Sequence, residues 1–425
     1  MSTKKKQKPW SVFIAIIAAV IFGSYVGKDA TLFGISYYTI FNTFGTMFLN
    51  ALTLVVVPLV SSSIITGIAR IGGDGGFGRI GVKTFGFYIG TSLLAILIGL
   101  FFVNLLQPGS SIDPLSANET VSLDLNKQGS VSLINVLISI VPSNAINAFS
   151  QGHMLGLIFF SILFGYALSK INRDASDTVQ KFFQGIFETM IRITHIVMRL
   201  LPYGVFCLIA KVFMGTGIGS LQSVALFTVT VVLGLATFMF IGLPILLRFI
   251  GRVSPLRHFK AMSPALITAF STSSSSATLP VTIDCVEKRA GVSNRICSLV
   301  VPLGTSINMS GSALYECVAA LFVAQAYGIE ISGGTQFLVV LMSLVTSIGV
   351  AGIPSGSLVA LLVILKSMGL PPEGIGLFLA VDRLLDMCRT TVNVFSDSCC
   401  AILVARAEGE SQVLAKDPAE SYSTK

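Results

Sequence analysis

Charge is what this sequence has least of. Only 11% of its 425 residues are Asp, Glu, Lys or Arg, against 53% apolar. A soluble domain carries roughly 25% charged residues, so this chain lacks the surface of a soluble enzyme. No charge falls between Ala30 and Ala69, Gln128 and Ser169, Val212 and Leu247, or Ile331 and Leu365. Each run exceeds the about 20 apolar residues that cross a bilayer. The reading is an all-α polytopic membrane protein. Soluble, secreted disulfide-rich and disordered classes are excluded. Histidine is scarce as well: His153, His195 and His258 stand singly. The seven cysteines, Cys207, Cys285, Cys297, Cys317, Cys388, Cys399 and Cys400, make no C-x-x-C pair. They read as apolar packing, not as a metal cluster or disulfide frame.

The charge that is present is basic, +8 net, and it sits at span ends. Lys4, Lys5, Lys6 and Lys8 precede the first apolar run; Arg70, Arg79 and Lys83, Lys170 and Arg173, and Arg248, Arg252, Arg257 and Lys260 mark later ends. This is positive-inside topology, with no basic-aromatic module for nucleic acid. A first span over Ser11 to Gly27 is retained, Trp10 being an interface anchor. Further spans are expected over Thr43 to Ala69, Lys83 to Leu106, a broken Gln128 to Ser169, Phe182 to Met214 with Pro202 inside, and Ser223 to Leu247. The acidic stretch Ser110 to Gly129 lies outside; its Asn118-Glu119-Thr120 matches a glycosylation sequon of low specificity.

Two later apolar segments are interrupted. Ala261 to Ile283 holds Ser271-Thr272-Ser273-Ser274-Ser275-Ser276 at its centre. Serine hydroxyls compete with the helical backbone, so the sharper reading is a re-entrant hairpin, and a plain spanning helix is the alternative. Ile331 to Leu365 holds Gly352-Ile353-Pro354-Ser355-Gly356-Ser357, is too long for one span and too short for two, and fits two half-helices. Irregular backbone at membrane depth needs protein or an aqueous cavity around it. Paired interrupted segments flanking one span, here Arg295 to Tyr327, point to a transporter binding site.

The last apolar helix, Gly374 to Val404, carries Asp382, Arg383, Asp386, Arg389 and Asp397. Such charges cost about 2.5–3.5 kcal/mol each at mid-helix on the insertion scale. At about 100° per residue, Asp386, Arg389, Asn393 and Asp397 fall within about 60° of Asp382. One stripe thus offers a guanidinium fork for a carboxylate, a counter-charge for an ammonium, a carboxamide, and an acid for a small cation. The alternative is a salt-bridge network that only joins helices. In the preceding span, Gly304-Thr305-Ser306-Ile307-Asn308-Met309-Ser310-Gly311-Ser312 reads as an unwound stretch whose carbonyls suit a hard cation, or as small residues for close packing. Glu316 reads as a proton carrier or a paired structural acid.

Four ordered stretches then resemble the dicarboxylate/amino acid:cation symporter family, which includes archaeal aspartate transporters and animal excitatory amino acid transporters. They are Ser274 to Pro280, Asn308 to Glu316, Ala351 to Pro354, and Asp386 to Val394. The resemblance implies eight transmembrane helices, two re-entrant helical hairpins, a homotrimer in the plasma (inner) membrane with cytoplasmic termini, and an elevator-type motion. It places scaffold helices in 1–78 and 110–218, a transport domain in 79–109 and 219–406, and a tail in 407–425. It also implies site roles. Arg389 binds a side-chain carboxylate, Asp386 an ammonium, Thr390 and Asn393 surround the α-carboxylate, and Ser312 matches a threonine that contacts substrate. Ser274, Ser275, Gly352 and Pro354 form the closing tips.

For sodium, the resemblance implies one site of Gly304, Asn308, Asn393 and Asp397, and a second of Ser306, Met309, Ser347, Ile348 and Val350. A third would use Tyr88, Thr91, Ser92 and Asn308 with an aspartate, but that position is Ser310 here, which weakens it. Glu316 matches the glutamate that carries a proton. The arginine of archaeal members falls at Ser273 and that of animal members at Met387; Arg383 is the nearby substitute, and potassium coupling is not carried over. The expected function is uptake of glutamate and/or aspartate driven by sodium and/or protons, with no organic cofactor and no nucleic-acid partner. Readings that compete are a C4-dicarboxylate or neutral amino acid carrier of the same fold, a channel, and an intramembrane hydrolase. The last lacks a Gly-x-Ser-x-Gly elbow.

Overall fold

Helices account for nearly all of the regular structure, because a backbone in lipid must satisfy its own hydrogen bonds. The computed structural model describes residues 10–26, 30–32, 34–71, 76–110, 141–151, 154–216, 220–329, 331–348 and 356–414. The first group is α1 (Trp10–Tyr25), α2 (Tyr37–Leu54), α3 (Val56–Ile71), α4 (Gly76–Leu106), α5 (Ala145–Ser150), α6 (Met154–Leu168), α7 (Arg173–Val197) and α8 (Leu201–Thr216). A two-stranded ribbon, Thr31–Leu32 against Ile35–Ser36, joins α1 to α2. The second group is α9 (Ser220–Thr237), α10 (Leu243–Phe249), α11 (Pro255–Thr272), α12 (Ser275–Asp284), α13 (Asn294–Ile307), α14 (Ser310–Ala326), α15 (Gly333–Ser347), α16 (Gly356–Ser367) and α17 (Leu379–Ala407).

Helix α8 packs on α1 and α2, and α3 packs on α6 and α7. Helices α4, α9, α11, α13 and α14 surround α17. Among the described residues, four stretches are long and apolar enough to span a membrane: 37–69, 79–106, 222–249 and 294–326. The last differs in kind, because every residue of its 307–324 part is buried by the rest of the protein. The polar residues of that part are shielded from lipid. An amine inside an apolar helix is handled similarly: Lys211 of α8 donates to Asn42 of α2 at 2.7 Å and lies 5.5 Å from the Tyr38 ring.

Breaks occur where serine, glycine and proline cluster. Helix α11 stops at Ser273, whose backbone is left-handed (φ 51°), and Ser274 caps α12 by accepting from the Ala277 amide. The two arms pack on each other, so the plain spanning helix is ruled out. Asn308 and Met309 are non-helical and divide 294–326 into α13 and α14. Helices α15 and α16 also pack on each other; the Gly352 to Pro354 stretch between them lies outside the described residues.

Two expected boundaries move. Phe182 to Met214 is not one helix: α7 ends at Val197, a 3-10 turn spans Met198–Leu200, and α8 begins at Leu201. Pro202 sits in the first turn of α8, where its missing N–H costs nothing. The last helix starts at Leu379, not Gly374, because Pro371 and Pro372 start a 3-10 segment through Leu377.

Beyond α17 the chain folds back as a strap. Glu408 accepts from Arg79 at 2.9 Å and from Lys83 at 2.7 Å, both on α4. The amide of Ser293 donates to the Glu410 carboxylate at 3.1 Å, and that of Leu414 donates to Ala290 O at 2.9 Å. Arg257 of α11 donates to Leu414 O, and Val413 and Leu414 are buried. The Lys83 and Arg79 hydrogen bonds hold the Glu408 carboxyl below its usual range. Its contribution is therefore full above about pH 4.3, the ordinary glutamate value, and fades as pH falls through the lowered one. At pH 7, Glu408→Gln is expected to speed amide exchange at Ser411 to Leu414, read by hydrogen-exchange mass spectrometry. Unchanged exchange would contradict the strap.

Candidate functional site

Helix α17 supplies the centre of the site. Its spacing of three and four residues stacks Asp382, Asp386, Arg389, Asn393 and Asp397 on one side, and all five are buried. The fully buried Arg389 guanidinium donates from Nη1 to Asp382 at 3.1 Å and from Nη2 to Asp386 at 3.0 Å. Its Nε has no partner. The ring of Tyr315 lies 3.7 Å from the guanidinium carbon, and the Tyr315 hydroxyl donates to Asp382 at 2.9 Å. Ring face and two carboxylates together hold the charge away from water. Arg383 stands 3.6 Å from the other oxygen of Asp386.

The carboxamide of Asn393 ties the start of α14 to α17. Its oxygen accepts from the Gly311 amide at 2.8 Å, and its nitrogen donates to Ser312 Oγ at 3.2 Å. Gly311 leaves room for this approach: a Cβ there would sit a tight 3.0 Å from Arg389 O and 3.1 Å from the Asn393 oxygen. Thr390 is buried beside Arg389. Ser274 and Ser275 lie at the break between α11 and α12, where the buried Ser273 hydroxyl has no partner. Gly352 and Pro354 lie outside the described residues.

One helical turn beyond Asn393, Asp397 is buried with one oxygen unpartnered, while the other accepts from Asn308 Nδ2 at 2.9 Å. A Cβ on Gly304 would fall 2.5 Å from that second oxygen, so only glycine lets α13 approach the carboxylate. An enclosed carboxylate, a half-used oxygen set and a helix break match what a hard cation takes. The structure thus brings Gly304, Asn308 and Asp397 into contact, with Asn393 one turn before Asp397 on α17. Of the second set, Ser306 lies in the last turn of α13, Met309 in the break, and Ser347 and Ile348 at the end of α15; Val350 lies outside the described residues.

The third set behaves differently. Tyr88 donates to Val300 O, and Thr91 donates to the Asn308 oxygen at 3.1 Å. Ser310 donates to the same oxygen at 2.9 Å and lies 3.2 Å from Ser92 Oγ and 3.1 Å from Ser396 Oγ. The Ser310 hydroxyl thus links Ser92, Ser396 and the Asn308 oxygen, and the set reaches a carboxylate, that of Asp397, only through the Asn308 amide nitrogen. Glu316 is buried on α14; one oxygen meets Thr346 Oγ1 at 2.9 Å and the other has no partner.

Asp382, Tyr315, Ser396 and Thr346 take part although the sequence reading gives them no role. Asp382 and Ser396 share the polar stripe, Ser396 at about −40° from Asp382, so periodicity carries their signal. Tyr315 and Thr346 reach the site across helix contacts that no local pattern encodes. His258 bonds to Ser398 at 2.9 Å and does not serve the serine run.

The model of the sodium:dicarboxylate symporter family matches residues 9–407. The proton/glutamate-aspartate symporter of Escherichia coli (strain K12) is 34% identical over 417 residues, covering 96% of this chain and 94% of that protein. The proton/sodium-glutamate symport protein of Bacillus caldotenax is 34% identical over 406 residues, 94% of each. The C4-dicarboxylate transport protein of Bacillus subtilis (strain 168) is 31% identical over 400 residues, 93% of each. With its enclosed charge stripe and broken helices, the chain belongs to the sodium:dicarboxylate symporter family, a family of membrane transporters and not of enzymes.

Proposed function

We propose that the protein is a symporter for acidic amino acids, glutamate and/or aspartate, driven by sodium and/or proton gradients. The Arg389–Asp386 pair carries this reading. The two groups neutralise each other within one site. Breaking a buried ion pair by removing one partner costs about 3–5 kcal/mol. An acidic amino acid offers replacements for both halves: its side-chain carboxylate takes the guanidinium, and its ammonium takes Asp386. A C4-dicarboxylate serves Arg389 and leaves Asp386 unserved; a neutral amino acid does the reverse. Two of the relatives above are named for glutamate, and one for C4-dicarboxylates, which makes the dicarboxylate carrier the second reading.

Thr390 and Asn393 are assigned to the α-carboxylate, Ser312 to a further substrate contact, and Ser274, Ser275, Gly352 and Pro354 to the tips that enclose substrate. Gly304, Asn308, Asn393 and Asp397 would hold one sodium, whose charge the unpartnered Asp397 oxygen favours. Ser306, Met309, Ser347, Ile348 and Val350 would hold a second. With Ser310 closing the hydroxyl network, Tyr88, Thr91 and Ser92 hold no third. Glu316 carries the proton, its enclosure and single partner supporting that role. The architecture we assign is eight membrane helices and two hairpins in a homotrimer of the plasma membrane. Residues 1–78 and 110–218 form the scaffold, and 79–109 and 219–406 the part that moves as an elevator.

Radiolabelled aspartate and glutamate uptake into proteoliposomes, with sodium and proton gradients imposed separately, tests the coupling. Accumulation with either gradient is expected, and accumulation with neither would overturn the proposal. Arg389→Lys keeps the charge and loses the fork; acidic uptake should fall by roughly 100-fold, and wild-type uptake would remove the assigned role. Ser310→Asp is expected to raise the number of sodium ions carried per substrate, counted by paired sodium and substrate fluxes. An unchanged count would contradict the account of the third set.

A further inference from the structure

Besides a long 3.4 Å approach to Ser343 O, Thr346 makes two close contacts that its single hydroxyl hydrogen cannot both serve at full strength. Its Oγ1 lies 2.9 Å from Glu316 Oε2 and 2.8 Å from Met342 O, the carbonyl one turn back in α15. A threonine hydroxyl has one hydrogen, a carbonyl only accepts, and an ionised carboxylate only accepts. With Glu316 ionised, one hydrogen faces two acceptors, and one contact goes unmade. With Glu316 protonated, the acid donates to Thr346 and Thr346 donates to Met342, so both contacts are made. The hydrogen count around Thr346 thus follows the proton on Glu316.

Thr346 is also well placed to pass that difference on. It lies in the last turn of α15, next to Ser347 and Ile348, where the first arm of the second hairpin ends. Glu316, Thr346 and Ser347 are all buried, so the proton on Glu316 is the hydrogen source that can complete both contacts. The charged side chain whose field reaches Glu316 is Arg389 of α17, and Tyr315 and Cys317 are the titratable neighbours on its own helix. Helices α9 and α15 carry no ionisable residue, α4 carries Arg79, Lys83 and Tyr88, and α16 carries Lys366 in its last turn.

We propose that Thr346 is a positioning residue that couples the proton on Glu316 to the second hairpin. Through it, protonation orders the last turn of α15 and favours substrate binding. The proposal rests on Glu316 being the proton carrier. The test is L-glutamate and L-aspartate binding to protein in lipid nanodiscs, at saturating sodium, at pH 5.5 and 8.5. Wild-type protein and Thr346→Ser, which keeps the hydroxyl, should bind more tightly at the lower pH by about fivefold or more, the usual scale of coupling between sites. Thr346→Val and Glu316→Gln should lose most of that ratio. A wild-type ratio in Thr346→Val, with the ratio lost in Glu316→Gln, would overturn the coupling role and leave the carrier standing. A wild-type ratio in Glu316→Gln would overturn both. Infrared difference spectra give a readout independent of binding. The protonated-carboxyl band that Glu316→Gln deletes should move to higher frequency in Thr346→Val, and a band that stays in place would also overturn the proposal.

Discussion

The fully buried guanidinium of Arg389 is the constraint around which the rest is arranged. A charge in that place is tolerable only with counter-charges at contact distance and no lipid nearby. Asp382 and Asp386 supply the counter-charges, and Tyr315 closes one face of the plane. Exclusion of lipid falls to the neighbours, above all to α14, which is buried throughout 310–324. The polar stripe of α17 thus sets which helices surround it and which of them are too polar to face lipid.

The helix breaks answer the same stripe. Ser273 and Ser274, Asn308 and Met309, and the end of α15 each leave backbone groups outside a regular helix. Free backbone of that kind is tolerated in a membrane only where protein encloses it, and α11, α13 and α14 all pack on α17. Glycine decides how close they come: Gly304 admits the Asp397 carboxylate, and Gly311 admits the α17 backbone. Serine does the converse at Ser310, where hydroxyls close on one another around Asn308. One helix therefore presents an ion pair at one end, a carboxamide in the middle and a lone carboxylate beyond.

Much of this is legible in the residues. Long uncharged runs carry the membrane class, and the 3.6-residue period alone gathers Asp386, Arg389, Asn393 and Asp397 on one side of a helix. The Gly304 to Ser312 stretch unwinds where its small and polar residues cluster. Less legible is anything that depends on contact across helices. The salt-bridge alternative and the recognition alternative both describe Arg389, because the pairing groups and the proposed binding groups are the same side chains. Periodicity cannot separate α7 from α8, since a turn of 3-10 helix keeps the apolar pattern. Nor can it show that Thr346 meets Glu316, which lies thirty residues earlier on another helix.

The central claim is that an acidic amino acid takes over the charges that Arg389 and Asp386 now give each other. A cryo-EM structure of the protein in nanodiscs with saturating L-aspartate tests it most directly. The account predicts the side-chain carboxylate on the Arg389 guanidinium, the ammonium within hydrogen-bond reach of Asp386, and the 3.0 Å Arg389–Asp386 contact opened. Aspartate bound elsewhere, with that contact intact, would contradict it.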